Sequence, residues 1–237
     1  RYPLVTGVQT CALPILSQQF EHVEWEGFRF YDLIFPLFLM LVGCSIPLSL
    51  DKLQGDRGKQ FARILRRTLF LVLLGLLYNG IQKLDFDGLR WMGVLQRIGI
   101  CYGIGAILSV FFGTRGLLVI GVSILLAYWG ILVFVPVPGG VAGDLSPAGN
   151  LAGYIDRTFL PGKILPKYYG FGDNEGLLST IPAVVTVLIG VIAGRWLVST
   201  SSATNKFVGL VCGGAVCLGL GLFWGQYFQI KIGRAHV

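Results

Sequence analysis

Long apolar segments separated by short polar connections dominate this chain. Each segment has 18 to 21 residues, and they cover 33–50, 64–81, 92–112, 117–135, 177–194 and 207–225. A helix of about 20 apolar residues crosses the hydrocarbon core of a bilayer. The pattern therefore predicts an all-α fold, a polytopic transmembrane helical bundle with about six spans in this chain.

The composition supports that prediction. Hydrophobic residues make up 54% of the chain, charged residues only 13%, and the mean hydropathy is +0.72. A soluble domain has about 25% charged residues. We therefore expect an integral membrane protein whose first partner is the lipid bilayer.

The net charge of +7 has an uneven distribution along the chain. Basic residues concentrate at 52–67, at Arg115 and at 195–206, whereas the alternate connections hold ten of the twelve acidic residues. Loops rich in lysine and arginine stay in the cytoplasm. This predicts a bacterial inner-membrane protein whose residues near His22 lie on the periplasmic, or external, side. The basic residues serve topology, so no nucleic-acid partner is expected.

Four of the five cysteines, Cys44, Cys101, Cys212 and Cys217, lie inside apolar segments. The chain has no CxxC pair and no cluster of cysteine and histidine, so we expect neither a metal site nor a disulfide framework. These four residues are interpreted as small core residues.

Both ends of the chain look foreign to the rest. Residues 5–15 and 232–237 resemble translated sequencing-adapter sequence. We therefore expect artefactual stretches at 1–15 and 231–237, which leaves a transmembrane domain at 16–230 that is incomplete at both ends.

The richest candidate chemistry precedes the first span. His22 stands beside Glu24, Trp25 and Glu26, and Asp32 follows at the start of the apolar segment. An imidazole has an ordinary pKa near about 6.5 and is therefore able to act as a base at neutral pH. An interfacial histidine beside a membrane-surface tryptophan explains the same residues, and both interpretations stay open.

Two further polar residues, Gln96 and Arg97, lie inside the third apolar segment. We place Arg97 about two turns inside this segment, where a charge normally faces a partner or a water-filled cavity. Pairing with an acid on a neighbouring helix and contact with a substrate are both open.

The connection at 136–176 is long, so we expect internal order. Asn150 is predicted to cap a short helix at 151–160 that lies on the outer membrane surface. Asp173 and Asn174 are interpreted as a turn with a helix N-cap, and Glu175 as a first-turn acid or a substrate-binding residue.

Small residues recur at helix-packing spacing in Gly99-x-x-x-Gly103 and Gly190-x-x-x-Gly194. This spacing predicts close contact between helix backbones.

Several stretches, taken in order, resemble the heparan-alpha-glucosaminide N-acetyltransferase family and its bacterial membrane relatives of unknown function. They are His22-x-x-Trp25-x-Gly27, Asp32-Leu33-Ile34-Phe35-Pro36, Gly93-Val94-Leu95-Gln96-Arg97-Ile98, Tyr154-Ile155-Asp156-Arg157 and Glu175-Gly176-Leu177-Leu178-Ser179-Thr180. The resemblance covers 20–230 and makes that region acyltransferase-like.

The resemblance implies a multi-pass membrane acetyltransferase. Such an enzyme moves acetyl from cytosolic acetyl-CoA, its co-substrate, to an amino sugar or glycan end on the external face. The catalytic histidine of the family falls on His22. Asp32 is then a candidate to orient the ring, Gln96 and Arg97 to polarise the carbonyl, and Glu175 to contact substrate. The family has helices before and after this region, so we expect the chain alone to be inactive.

A permease or transporter for an amino sugar or oligosaccharide is the alternative. A polytopic bundle and a charge at membrane depth suit that function as well, although no internal repeat is visible. A homo-oligomer is compatible with either function.

Overall fold

The computed structural model describes residues 20, 30–50, 53, 55–83, 89–146, 148–160 and 172–227. A short 3-10 helix, Phe30–Leu33, leads into the first of seven α-helices in this described part. The helices are α1 (Ile34–Leu50), α2 (Arg57–Lys83), α3 (Val94–Phe111), α4 (Thr114–Phe134), α5 (Leu151–Phe159), α6 (Leu177–Val198) and α7 (Ala203–Tyr227). The described residues contain no strand, and the predicted all-α fold is confirmed. The terminal stretches 1–15 and 231–237 lie outside the described residues.

Five helical segments are long and apolar enough to cross a membrane. They are Phe30–Leu50, Val94–Phe111, Thr114–Phe134, Leu177–Val198 and Ala203–Gln226, and they coincide with five of the six predicted spans. The remaining prediction, 64–81, falls within α2. That helix has 27 residues and carries five basic residues in its first eleven, and it is not among the five.

Helix α6 lies at the centre of the bundle and packs on α1, α3 and α4. Its contact with α1 depends on glycine. A methyl group added to Gly190 would overlap the carbonyl oxygen of Met40, and one added to Gly194 would approach the carbonyl oxygen of Cys44 to 2.6 Å. Gly43 of α1 meets the backbone of α6 in the same way. The predicted close packing at Gly190 and Gly194 is confirmed.

Helices α2 and α3 form an antiparallel pair. Phe61 packs on Phe111 near one end, with ring centroids 5.8 Å apart. Thr68 lies against Gly103 in the middle, and Gln96 lies against Gly75 further along. Gly99 also contacts α2, so the second predicted glycine pair is confirmed.

The bundle has two ends of different character. At the basic end, Arg63 donates to the carbonyl oxygen of Ser49 (2.9 Å) and joins α2 to the last turn of α1. Arg195 donates to the carbonyl oxygens of Ser109 (2.7 Å) and Phe112 (3.0 Å), which joins α6 to the end of α3. The acidic end holds α5 and the loop before α6.

The four cysteines do not share one environment. Cys101 is buried and Cys44 is partly buried, in keeping with small core residues. Cys212 and Cys217 are exposed on α7, so for these two the core interpretation is wrong. The apolar pattern identifies a span but does not tell which of its faces meets other helices.

Candidate functional site

A cluster of charged residues occupies the acidic end. The guanidinium of Arg90 lies between two carboxylates, and its Nε donates to Asp173 Oδ2 at 3.0 Å. Its Nη2 donates both to Asp173 Oδ1 and to Glu175 Oε2. The side chain of Asp173 is 1% exposed, whereas those of Arg90 and Glu175 are 15% and 12% exposed. Arg90 and Glu175 therefore form the accessible edge of this cluster.

The loop that carries these acids is held by Asp156 from α5. Its Oδ1 accepts from the backbone N–H of Leu177 (2.9 Å) and its Oδ2 from that of Asp173 (3.3 Å). Gly176 lies against the carboxylate so closely that a side chain there would overlap it. Asp156 therefore caps the start of α6 from another helix.

The predicted N-cap at Asp173 and Asn174 is wrong. Helix α6 begins at Leu177 and its N-cap residue is Gly176, which has no side chain to cap with. Asp173 Oδ1 accepts from the backbone N–H of Glu175 (3.0 Å) in a tight turn. Glu175 precedes the helix instead of lying in its first turn. The carboxylate at the helix start is that of Asp156.

The helix that supplies Asp156 forms as predicted. Asn150 accepts from the backbone N–H of Gly153 (2.7 Å), so Asn150 is the N-cap of α5. The helix ends at Phe159, one residue earlier than the predicted range. Its buried residues include Leu151 and Asp156, whereas Thr158 and Phe159 are exposed. The amphipathic face therefore points Asp156 at the bundle.

Arg97 lies beneath the same loop. It donates from Nη1 to the carbonyl oxygen of Asn174 (2.8 Å) and from Nη2 to that of Ser179 (2.6 Å). Its guanidinium carbon is 5.3 Å from the centre of the Phe35 ring, which is a cation–π contact. The residue is buried and belongs to the first turn of α3, so it lies nearer the start of the helix than its predicted depth in the apolar segment indicated. Arg97 links α1, α3 and the loop before α6.

Gln96 faces a different neighbour. It is buried against Gly75 of α2 and against Gly93, and its Nε2 atom has no hydrogen-bond partner among the described residues. Gln96 and Arg97 are adjacent in sequence, and successive helix positions point about 100° apart. Gln96 and Arg97, two of the three predicted substrate-binding residues, are therefore not brought onto one surface.

The predicted catalytic pair is described only in part. Asp32 is 2% exposed in the 3-10 helix that precedes α1, three residues before the Phe35 ring that covers Arg97. His22 lies outside the described residues, as do Glu24, Trp25 and Glu26.

Two opposing effects set the pKa values in the cluster: burial, which disfavours the charged forms, and hydrogen bonds and opposite charges, which favour them. Burial raises the pKa of Glu175 above its ordinary value, and the charge of Arg90 offsets only part of that effect. Burial lowers the pKa of Arg90, but the hydrogen bond to Asp173 and the charges of both carboxylates outweigh it, so the pKa is raised. Burial raises the pKa of Asp156 to about 6, although its two backbone hydrogen bonds favour the charged form.

Sequence reasoning identified Arg97 and Glu175 but gave no role to Arg90 or Asp156. Arg90 does carry a signal, because it is a basic residue in a connection that otherwise belongs to the acidic side. Asp156 carries one as well, since it is an acid in the middle of a short amphipathic helix. Neither signal indicates which residue the side chain contacts. Asp173, the partner of Arg90, lies 83 residues further along the chain.

Within the described ranges, no group of three or more histidine, cysteine, aspartate or glutamate residues has an arrangement that would hold a metal ion. Asp173 and Glu175 are both engaged by the guanidinium of Arg90.

Comparison with known proteins supports the resemblance stated from the motifs. No family model matches the chain. The chain is 29% identical over 247 aligned positions to heparan-alpha-glucosaminide N-acetyltransferase of Mus musculus, which covers 81% of this chain and 38% of that protein. It is 29% identical over 238 positions to the Homo sapiens protein of the same name, which covers 80% of this chain and 36% of that protein. The chain thus spans somewhat more than a third of the length of these relatives.

Proposed function

We propose that this chain is part of a multi-pass membrane acetyltransferase that moves acetyl from acetyl-CoA to the amino group of an amino sugar on the external face. The observation that carries the proposal is the buried charged cluster at one end of the bundle. Three residues at this end, Arg97, Asp156 and Glu175, belong to stretches that resemble the acetyltransferase family.

Acyl transfer to an amine has two electrostatic requirements. The amine nitrogen attacks the thioester carbonyl, whose oxygen becomes negative as the bond to nitrogen forms. The bond to sulfur then breaks, and the proton lost by the amine goes to the thiolate. A site therefore needs a fixed positive group near the carbonyl oxygen and a base that carries the proton.

Arg97 is the candidate for the positive group. Two backbone carbonyls and the Phe35 ring hold its guanidinium in one place, so little reorganisation is needed when charge develops on a substrate. Gln96 is a weaker candidate because it faces α2.

His22 is the candidate base, and Asp32 the candidate that orients its ring. In this proposal His22 takes the proton from the attacking amine and returns it to the leaving thiolate. The Asp32 position supports this role, because Asp32 is buried just before the residue that covers Arg97. Glu175, at the accessible edge of the cluster, is the candidate to accept a hydrogen bond from the sugar.

The test is transfer of labelled acetyl from acetyl-CoA to glucosamine in membranes. The assay compares the 237-residue chain with the full reading frame that encodes it, and we expect transfer only from the latter. His22→Ala should abolish transfer. Arg97→Gln should lower it by about 100-fold, the size expected when one group that stabilises an oxyanion is lost.

Arg115→Gln is the matched control for Arg97→Gln. It removes one arginine from an exposed position at the basic end, and transfer should not change. Transfer that survives His22→Ala would contradict the role of His22. Sugar uptake without any dependence on acetyl-CoA would replace the proposal with the transporter alternative.

A further inference from the structure

A cavity of about 430 Å³ opens between the first three helices, away from the charged cluster. Its wall is built from all three helices, by Val42 and Ser45 of α1, Arg66, Arg67 and Phe70 of α2, and Tyr102 of α3. Ligand pockets have volumes of about 300–1,000 Å³, so this cavity is large enough for a small molecule or part of a larger one.

The two arginines at this cavity lie below the basic rim. Arg63 reaches the carbonyl oxygen of Ser49 and so marks the last turn of α1. Arg66 and Arg67 follow one turn further along α2, beside an otherwise apolar wall. Within the described part of the chain, neither has an ion-pair partner and no acid lines the cavity. Both arginines are exposed, so their charges are accessible to a ligand in the cavity.

Tyr102 gives a second, independent indication. It is 3% exposed, it lines the cavity, and its hydroxyl has no hydrogen-bond partner among the described residues. A buried hydroxyl without a partner costs about 1–3 kcal/mol, so such groups are usually satisfied by protein, water or ligand. Ser45 differs, because its hydroxyl already donates to the carbonyl oxygen of Val42 (2.7 Å).

We propose that this cavity binds a phosphate-bearing amphiphile. Arg66 and Arg67 hold the phosphate, and the attached chain lies along Val42 and Phe70 towards the Tyr102 hydroxyl. Arg66 and Arg67 both line the cavity, and guanidinium groups suit a phosphate ester. The described lining residues include no acid, which disfavours a cation.

Two sources supply this chemistry. Coenzyme A carries phosphates on a long flexible arm, and its assignment rests on the proposed function. An anionic phospholipid carries a phosphate on acyl chains, and its assignment does not require any acetyl transfer. The experiment therefore has one arm for each source.

Both arms use the purified chain in nanodiscs. In neutral phosphatidylcholine, binding of radiolabelled coenzyme A is measured by equilibrium dialysis. In discs with a minor fraction of phosphatidylglycerol, retention of that lipid is measured by native mass spectrometry. We expect saturable binding in one arm, and the double variant Arg66→Gln/Arg67→Gln should weaken it by at least about tenfold.

Two further variants keep the test interpretable. Tyr102→Phe preserves shape and should weaken the same probe by about fivefold, the effect of one hydrogen bond. Arg57→Gln/Arg115→Gln removes two arginines that do not line the cavity and should change binding less than about twofold. This control separates the cavity from general surface charge.

The outcomes distinguish the cavity from the reaction. Dependence of coenzyme A binding on Arg66, Arg67 and Tyr102 supports the cavity and its link to acetyl transfer. The same dependence for phosphatidylglycerol alone supports the cavity and removes that link. Absence of binding in both arms, or equal losses in the control variant, overturns the proposal, whatever the transfer assay gives.

Discussion

Helices α6 and α7 are similar in length and apolarity, but they differ in how much of each is buried inside the protein. Both are apolar, both exceed twenty residues, and both qualify as membrane spans. In α6, 67% of the apolar window is buried inside the chain, whereas in α7 none of it is. Hydropathy therefore identifies which segments enter the bilayer but does not rank them by their contacts within the protein.

The difference between the two helices lies in where their glycines point. Gly190 and Gly194 of α6 touch the backbone of α1, so the two helices approach more closely than larger side chains would allow. A methyl group added to Gly213 or Gly214 of α7 would meet no other described part of the protein within 4 Å. Helix α7 touches the rest at a few points, such as the Trp224 ring against Trp129 and Gly209 against the Trp196 indole.

The strongest test of this difference is a pair of matched substitutions. Gly190→Leu forces a side chain into the backbone of Met40, so α1 and α6 must separate. We expect a loss of at least about 3 kcal/mol in the free energy of unfolding, the upper range for overpacking, or no folded protein. Gly214→Leu adds the same side chain to an open surface and should change stability by less than about 0.5 kcal/mol.

The measurement is unfolding in mixed micelles with increasing sodium dodecyl sulfate, followed by tryptophan fluorescence. Equal losses from both variants would show that α7 packs within the protein as closely as α6, and would remove the distinction between them.

The fold was predictable because each span satisfies its own backbone hydrogen bonds and needs only length and apolarity. The glycine pairs were predictable because small residues four apart share a helix face. The central position of α6 was not, since it depends on which faces meet, and Cys212 and Cys217 were misplaced for that reason. Their spacing and composition do not differ from those of buried cysteines.

The site shows the same limit. Arg97 and Glu175 could be recognised because a charge in or beside an apolar segment is energetically costly in any arrangement of the helices. Arg90 and Asp156 gained their importance only through distant partners, Asp173 and the first residue of α6. Helix caps are normally sought in the preceding residues, so a cap supplied from 21 positions upstream leaves no local pattern.

That distant cap gives the second test of how α6 differs from α7. Asp156→Ala removes the acceptor for the backbone N–H groups of Leu177, in a part-buried position, and Asp173, in a buried one. We expect a loss of about 2 kcal/mol at pH 5. At the start of α7, Ser202 accepts from the backbone N–H of Asn205 in an exposed position (3.3 Å), and Ser202→Ala should cost about 0.5 kcal/mol.

The pH dependence sharpens this test. Folding raises the pKa of Asp156 from about 3.9 to about 6, so the folded state binds the proton more tightly. The resulting stability is fully present below about pH 4 and is lost as the pH rises through 6, at up to about 1 kcal/mol per pH unit. Asp156→Asn should flatten most of this slope, and the remainder belongs to Glu175, whose pKa is also raised. A wild-type protein whose stability increases between pH 4 and 6 would contradict this predicted pH dependence.

The smallest expected change in stability concerns the basic end, where α6 and α7 carry one basic residue each, Arg195 and Lys206. Arg195 of α6 donates to the last carbonyls of α3, which have no partner within their own helix, and its charge suits the negative end of that helix. We expect Arg195→Gln to cost about 1 kcal/mol. Lys206 of α7 offers only its backbone carbonyl, which accepts from the Trp196 indole, so Lys206→Gln should be neutral within about 0.5 kcal/mol. Both are measured in the same detergent titration. Because the two changes remove one charge each from the same end, a difference between them reports the carbonyl contacts, and equal losses would leave only general charge.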